Sequence, residues 1–498
     1  MHFTSLPGGH GVGDLGPRAY EFADFLSAAG QKVWQFLPVN PTGYGDSPYQ
    51  CFSAFAGNPL LISLDHLREQ GRLAASDLID APHFPDDSVD YAACIDFKMP
   101  ILRRAAKNFF ATASPSDRAM FDEFCETSRS WLDDYALFMA CKDAHGGVAW
   151  TSWDSPIRKR EPRALNEWAQ KLEREVQAYE YWQFEFFQQW NSLKDYCSQR
   201  AIRFMGDVPI YVAHDSADVW AHPELFHLDE EGRASVVSGV PPDYFSATGQ
   251  LWGNPIYRWA KFVASGYKWW IERFRASLAL CDYVRLDHFR GFEAYWEIPA
   301  GEATAINGRW VKGPGEEFLR AVQNACGELP VVAENLGVIT PAVEKLRKDF
   351  GLPGMALLQF AFGNDPQGPS FRPHNYERDV VAYTGGHDND TTVGWWNSSG
   401  ASDSTRTPED VRKEHKFASD YLDLKDDSEI NWVMIRAVLG SVADMAIVPL
   451  QDVLGLGNSA RMNFPGTVSG NWKWRCRADA LDRTLSERLH HLATLYNR

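Results

Sequence analysis

Short apolar runs that lead into acidic residues recur along this chain, separated by stretches of helical pattern. Four such runs end directly, or through two glycines, at Asp207, Asp287, Glu334 and Asp388. In a parallel barrel the carboxyl ends of the strands form one face, so these acids are expected to meet in one pocket. The predicted fold class is therefore α/β, a (β/α)8 TIM barrel with inserted, largely helical and irregular subdomains.

The predicted domain organisation follows from the change of pattern along the chain. Residues 1–59 start the barrel, and residues 60–150 have the helical pattern of an insertion subdomain. Residues 151–498 supply the remainder of the barrel, with an irregular loop insertion at about 208–255. A run of aromatic residues from 179 to 190 covers nearly all sides of a helix, which predicts a buried helix.

Further segments have the composition of short strands. They are residues 2–5, 33–39, 355–362 and 446–452. The C-terminal segment has leucines at helical spacing and is predicted to form a helix that packs on the body of the protein.

Composition excludes several classes of function. The net charge of −17 disfavours nucleic acid and anionic membranes as partners. No run of about 18 apolar residues or leader pattern is present, so a membrane span or secretion is not expected. Eight scattered cysteines without metal or disulfide spacing favour a cytoplasmic location. Abundant aromatic residues suit sugar rings.

Three glycine-bearing segments leave alternatives open. Gly11, Gly13 and Gly16 fit a dinucleotide-binding pattern, but no acid follows the next strand to hold a ribose, which favours a tight turn instead. The segment 41–50 places Tyr44 and Tyr49 on a loop that either contacts a ligand or only packs down. The loop 241–254 either covers the cleft as a lid or packs its own aromatic side chains.

The acids predict glycoside chemistry with retention of configuration. Such a reaction needs one carboxylate as nucleophile and a second that donates and later accepts a proton. Asp287, Glu334 and Asp388 are the candidates, and Arg285 on the same strand is expected to keep Asp287 ionised. Carboxylates could equally hold Mg²⁺, but the nearby aromatic loops favour a sugar, so no metal and no cofactor are predicted.

The chain closely resembles the amylomaltase family of 4-α-glucanotransferases, also called disproportionating enzymes, among the α-amylase-like retaining glycosidases. The resemblance covers nearly the whole length. The matching segments are Gly13–Gly16, Thr42–Gln50, Asp207–Tyr211, Asp243–Pro255, Arg285–Phe292, Ala333–Gly337, His387–Thr391 and Leu454–Pro465.

This resemblance implies cleavage of an α-1,4-glucan through a covalent glucosyl-enzyme and transfer to the 4-hydroxyl of an acceptor. It implies that Asp287 is the nucleophile, that Glu334 is the acid/base, and that Asp388 binds sugar hydroxyls and promotes ring distortion. The substrate-binding residues that it implies are Ser47, Tyr49, Asp207, Gln250, Trp252, Arg285 and His387, with Tyr44 at a secondary glucan site. The partners would be a maltooligosaccharide or starch-type donor and a glucan or glucose acceptor.

Two departures from the family pattern accompany the match. The chain begins inside the segment that matches the first barrel strand, so either the start is misassigned or this strand is short. Gly386 stands where the family usually has Thr, and a glycine there is expected to add backbone freedom beside His387.

The same residues also permit other functions. A retaining α-glucan hydrolase would use the same three acids, with water as the acceptor. A non-catalytic glucan-binding protein would keep the aromatic residues without needing the acids.

Overall fold

The computed structural model describes residues 1–8, 10–242, 246–400, 406–467 and 469–498. The strands are β1 (Val33–Gln35), β2 (Arg203–Val208), β3 (Val236–Val240), β4 (Gln250–Pro255), β5 (Tyr283–Leu286), β6 (Ala294–Pro299), β7 (Arg309–Lys312), β8 (Val331–Ala333), β9 (Gly354–Leu357), β10 (Val380–Tyr383) and β11 (Met445–Ile447).

The helices surround these strands. They are α1 (Pro17–Ala28), α2 (Leu64–Glu69), α3 (Tyr91–Thr112), α4 (Pro115–Ala144), α5 (Ser155–Arg158), α6 (Pro162–Lys171), α7 (Glu173–Ser198), α8 (Ala217–Ala221), α9 (Trp259–Ala264), α10 (Lys268–Leu280), α11 (Arg290–Glu293), α12 (Gly315–Cys326), α13 (Pro341–Asp349), α14 (Thr392–Asn397), α15 (Pro408–Leu422), α16 (Ile430–Leu439), α17 (Leu450–Val453) and α18 (Arg483–Leu495).

Two arcs of parallel strands form the centre of the protein. The first arc has the strand order β1-β2-β5-β8, and the second has the order β11-β10-β9. A hydrogen bond of 2.8 Å from the backbone N–H of Ala333 to the carbonyl of Pro353 connects β8 to the segment that leads into β9. α-Helices occur between the successive strands of the first arc and between β10 and β11, as in a parallel barrel, whereas only 3-10 turns join β9 to β10.

The central strands are short and apolar because helices cover their outer faces. All three residues of β8 and all four of β9 are buried. The strands of the first arc are in register, so that Asp207 on β2 lies opposite Arg285 on β5. This pairing places polar side chains next to each other at the carboxyl ends.

The predicted aromatic helix lies within α7, and most of its aromatic residues are buried. Helix α4 packs along α7, and α3 packs on it as well. Helices α3 and α4 supply most of the segment 60–150, which is helical as predicted, although its status as a separate subdomain remains a prediction. Helix α18 buries Leu489 and Leu492 and packs against α1 and α16.

Four strand predictions need correction. The predicted strand 33–39 ends at Gln35, and residues 36–39 lie outside β1. Phe3–Ser5 is a 3-10 turn, because its carbonyls bond to Leu6, Gly13 and Cys476 rather than to a strand. The segment 355–362 is extended only to Leu357 and then turns as a 3-10 helix through Ala361. The segment 446–452 ends its strand at Ile447, and Pro449 then precedes helix α17.

The segment 208–255 is more regular than predicted. It contains α8 and the strands β3 and β4, which join β6 and β7 in an antiparallel sheet of order β4-β3-β6-β7. Asp243–Phe245, part of the predicted lid, lie outside the described residues. None of the helices described here combines the length and apolar character needed to cross a bilayer.

Candidate active site

The carboxyl ends of β2, β5 and β8 bring three acids around one guanidinium. Arg285 is 3% exposed. Its Nη1 lies 2.6 Å from Asp207 Oδ2, and its Nη2 lies 3.1 Å from Asp287 Oδ1 and 2.8 Å from Glu334 Oε1. The strand register explains this cluster, because Arg285 faces residues of β2 on one side and β8 on the other.

The contacts of Arg285 limit the distance between two of the acids. One oxygen of Asp287 and one of Glu334 both lie within 3.1 Å of the same nitrogen. These oxygens are therefore no further apart than about twice that distance, which fits the ~5–5.5 Å of a retaining pair rather than the ~6.5–9.5 Å of an inverting pair. No water needs to fit between the two groups.

The pKa shifts of this pair favour the proton on Asp287 in the ligand-free site. Burial and the neighbouring charge of Glu334 raise the pKa of Asp287 well above its usual range. Burial acts on Glu334 in the same direction, but Arg285 and the N–H of His288, which donates to Glu334 Oε2 at 2.6 Å, lower the pKa of Glu334 to about 2. Arg285 lowers the pKa of Asp287, which is the expected direction, but burial and the charge of Glu334 outweigh this effect in the free site.

Asp207 lies behind the cleft rather than on its surface. It is 8% exposed, it accepts a hydrogen bond of 2.8 Å from the hydroxyl of Tyr49, and its Oδ1 has no hydrogen-bond partner. Burial raises the pKa of Asp207, against the opposing effect of Arg285. In this structure Asp207 therefore orients Arg285 and Tyr49, and the other predicted site residues line the cleft.

The loop after β10 carries His387 and Asp388. The ring of His387 stacks on Tyr49 at a centroid distance of 5.2 Å. The Asp388 side chain is half exposed, and its Oδ1 accepts a hydrogen bond of 2.6 Å from Asn463 Nδ2. The guanidinium of Arg461 donates to the Asp388 carbonyl at 2.6 Å. Asp388 is thus held at the rim of the cleft, open to a ligand.

Aromatic side chains complete the walls of this cleft, which has a volume of about 1600 Å³. Trp252 donates through Nε1 to Gln250 Oε1 at 3.1 Å and meets the ring of His288 edge to face at 4.7 Å. Ser47 Oγ accepts from the N–H of Tyr49 at 3.2 Å. Tyr44 is 74% exposed at the entrance, so its ring is free to contact a ligand.

Comparison with known proteins identifies the family. A family model described as 4-alpha-glucanotransferase matches residues 1–481. The chain belongs to the 4-α-glucanotransferase family. This membership confirms the predicted transferase activity, which it favours over hydrolysis, and it confirms the predicted family resemblance.

Similar proteins cover the full length of this family member. It is 52% identical to the 4-alpha-glucanotransferase of Synechocystis and 51% identical to that of Thermus thermophilus, over 100% of this chain and 97% and 98% of those proteins. It resembles the structure of the amylomaltase from Streptococcus agalactiae in complex with acarbose with a TM-score of 0.94 and 39% identity, covering 100% and 98% of the two chains. This likeness confirms the predicted fold class.

Several residues of this glucanotransferase site were missed by sequence reasoning. Asn463 lies in one of the family-like segments, but nothing in its pattern indicated a contact with Asp388. Asp452 is 1% exposed and accepts hydrogen bonds from Thr384 Oγ1 at 2.5 Å and from the N–H of Thr392 at 2.6 Å. It fastens both ends of the loop that carries His387 and Asp388.

The charges of this site bear on the magnesium alternative. Arg285 occupies the position among Asp207, Asp287 and Glu334 that a cation would need. Within the described ranges, no group of three or more His, Cys, Asp or Glu side chains has an arrangement suited to a metal ion.

Proposed function

We propose that this chain transfers segments of α-1,4-glucans by a retaining mechanism in which Asp287 is the nucleophile and Glu334 the acid/base. The observation that supports these roles is the pair of carboxylates that share Arg285 Nη2. At that separation Asp287 can reach the anomeric carbon while Glu334 reaches the glycosidic oxygen.

The reaction has two balanced steps. In the first, Asp287 Oδ forms a bond to the anomeric carbon, the bond to the glycosidic oxygen breaks, and Glu334 gives its proton to the departing 4-hydroxyl. In the second, the 4-hydroxyl of an acceptor attacks the anomeric carbon, its proton passes to Glu334, and the bond to Asp287 breaks. The enzyme returns to its starting state.

The first step requires the proton on Glu334, whereas the free site holds it on Asp287. A hydrogen bond joins the two carboxyl groups, so the proton can cross between them without exchange with solvent. Substrate favours this transfer, because the glycosidic oxygen accepts a hydrogen bond only from protonated Glu334, and positive charge developing at the anomeric carbon stabilises ionised Asp287.

This proton arrangement gives an expected pH dependence. Activity needs one proton on the pair, and Glu334 takes up a second proton only near pH 2. We therefore expect kcat/KM, which reports on the free enzyme, to fall mainly on the alkaline side, where the pair loses its proton. A steep loss of kcat/KM between pH 6 and 4, in protein that remains folded, would contradict the proton assignment.

The remaining site residues bind and orient sugars in this proposal. Asp388 and His387 offer polar groups to sugar hydroxyls at the rim of the cleft, and Arg285 stabilises the charge on the pair. Tyr49 and Trp252 offer ring faces on the cleft walls, with Ser47 and Gln250 beside them. Tyr44 offers an exposed ring to a second glucan segment.

The donor is proposed to be a maltooligosaccharide or starch-type glucan, and the acceptor another glucan or glucose. Support comes from the volume and aromatic lining of the cleft and from the acarbose complex of the similar amylomaltase. A cytoplasmic location remains a prediction, supported by eight free cysteines.

A product analysis with mutants tests the roles. Pure maltotriose should give longer maltooligosaccharides with glucose as the co-product, and Asp287→Asn and Glu334→Gln should each lower this rate by about 10²–10⁴ or more. Asp349→Asn, which changes an exposed carboxylate paired with Lys345, serves as the control. Near-normal chain lengthening by either site variant would disprove the corresponding role, and hydrolysis alone in the wild-type protein would disprove transfer.

A further inference from the structure

One exposed tryptophan lines the cleft away from the residues discussed so far. Trp310 lies on β7, is 40% exposed, and lines the same cleft as the catalytic pair, with Ala303 and Thr304 beside it on the lining. Large apolar side chains are normally exposed singly on surfaces without consequence. Trp310 differs from such residues because the side chains of Arg290 and Trp296 hold its ring in place.

The guanidinium of Arg290 covers one face of the Trp310 ring. The central carbon of the guanidinium lies 3.6 Å from the ring centroid. Arg290 is itself only 4% exposed, and it donates to the carbonyls of Ala294 (3.3 Å) and Val338. These hydrogen bonds fix the guanidinium of Arg290 to the backbone. One face of the Trp310 indole is therefore covered by a fixed cation.

A second tryptophan supports the ring from the side. Trp296 on β6 lies directly opposite Trp310 in the antiparallel sheet, and the two rings meet at 5.1 Å and 69°. The Trp296 indole donates to the carbonyl of Ala305 at 2.8 Å, and Gly308 packs so closely on Trp296 that a Cβ there would lie 2.1 Å from its Nε1. The support is thus rigid as well.

The position of this ring relates directly to the catalytic strands. Arg290 follows Asp287 by three residues, and Val338, which accepts its hydrogen bond, follows Glu334 by four. Arg290 therefore joins the two loops that leave the catalytic strands, and Trp310 lies against the outer side of that junction. A glucan chain that leaves the catalytic pair toward this side of the cleft meets the ring.

We propose that Trp310 is a sugar-stacking platform that binds a glucose unit of the α-glucan remote from the bond that is cleaved. This inference rests on the proposed function. The apolar C–H face of a pyranose ring fits a flat indole, and a ring already fixed by Arg290 and Trp296 loses little conformational freedom when a sugar stacks on it. We therefore expect the platform to add affinity for long glucans and not for short ones.

Chain-length dependence tests this proposal. Trp310→Ala is expected to lower kcat/KM for maltoheptaose by about five- to tenfold, through KM, and to leave kcat/KM for maltotriose unchanged. Trp310→Phe, which keeps a ring, should restore most of the loss. Ile306→Ala removes an exposed apolar side chain outside the cleft and is the matched control.

A binding measurement separates this proposal from the proposed function. Calorimetric titration of maltoheptaose into Glu334→Gln should show that adding Trp310→Ala raises Kd by about five- to tenfold, whatever the rate of turnover. An unchanged Kd, or an equal loss for maltotriose and maltoheptaose, would overturn the platform. Failure of the wild-type protein to lengthen maltotriose would instead overturn the proposed function and leave the Kd comparison intact.

Discussion

The loop that carries His387 and Asp388 depends on a buried carboxylate, and removing that carboxylate gives a sharp prediction. In Asp452→Ala, the hydroxyl of Thr384 and the N–H of Thr392 both lose their acceptor. Both threonines are fully buried, so water cannot easily replace it. Each unsatisfied buried donor costs about 1–3 kcal/mol, which gives a loss of about 2–6 kcal/mol for the variant.

The same change should lower activity. The two lost hydrogen bonds hold the start and the end of the loop, and Gln359 Nε2, which donates to the Asp390 carbonyl at 2.9 Å, remains as a weaker tie. A shift of about 1 Å in a positioned group can cost about 10²-fold in rate. We therefore expect kcat for maltotriose disproportionation to fall by about 10- to 100-fold at a temperature where the variant is still folded.

Asp452→Asn separates positioning from charge. Its amide oxygen can accept from the Thr392 N–H, and its amide N–H₂ can donate to the Thr384 hydroxyl, so both rate and stability should stay near those of the wild type. Burial raises the pKa of Asp452, so the wild-type protein loses stability as the pH rises and Asp452 ionises. The Asn variant lacks this ionisation and should lose less stability than the wild type as the pH rises. Product chromatography and thermal unfolding of both variants provide the data. An Asp452→Ala variant with wild-type kcat would refute the reasoning.

Three further substitutions are each predicted to change the stability of the protein. A Cβ at Gly386 would lie 3.3 Å from Asn389 Oδ1 and 3.6 Å from Leu357 Cδ2, and Gly386 does not have a left-handed φ. Gly386→Thr should therefore raise the free energy of unfolding by about 0.4–1 kcal/mol, measured by denaturant titration. A large loss of stability would show that the glycine is required. Burial lowers the pKa of His288 to about 4, so the stability that depends on neutral His288 is fully present above pH 6.5 and falls as the pH drops toward 4. In His288→Gln the melting temperature should vary less between pH 6.5 and 4. An unchanged slope of melting temperature against pH would contradict this. Lys98 is fully buried, donates to the Leu60 carbonyl at 2.7 Å and pairs with Asp14 at 3.4 Å. Lys98→Met leaves the Asp14 carboxylate without this partner and should cost about 3–5 kcal/mol, so a melting temperature equal to the wild type would refute that.

The proposed catalytic pair could be located from the sequence because each member follows a short buried strand. Asp287 and Glu334 come directly after β5 and β8, so the strand pattern alone indicated that they share one face. Arg285 could be placed beside them for the same reason. Its effect on their protons could not be predicted, because that effect depends on a 2.8 Å contact with Glu334 and on the N–H of His288.

Contacts between distant loops left no signal in the sequence. Asn463 and Asp388 are 75 positions apart and meet only because the loops after β10 and β11 converge. Asp452 was predicted at the end of a strand, but a turn at Pro449 places it in α17, directed toward the neighbouring loop. Periodicity describes which face a residue occupies on one element, and these contacts depend on the directions of two irregular segments.

The order of strands in the two arcs has a consequence for biosynthesis. Asp287 and Glu334 belong to neighbouring strands of the first arc, whereas Asp388, Asn463 and the carboxylate of Asp452 all follow β10. A growing polypeptide emerges from its N-terminus and domains begin to order as they emerge. Asp287 and Glu334, the proposed nucleophile and acid/base, are therefore translated before Asp388 and Asn463 at the rim of the cleft. Turnover becomes attainable only after residue 463 has left the ribosome.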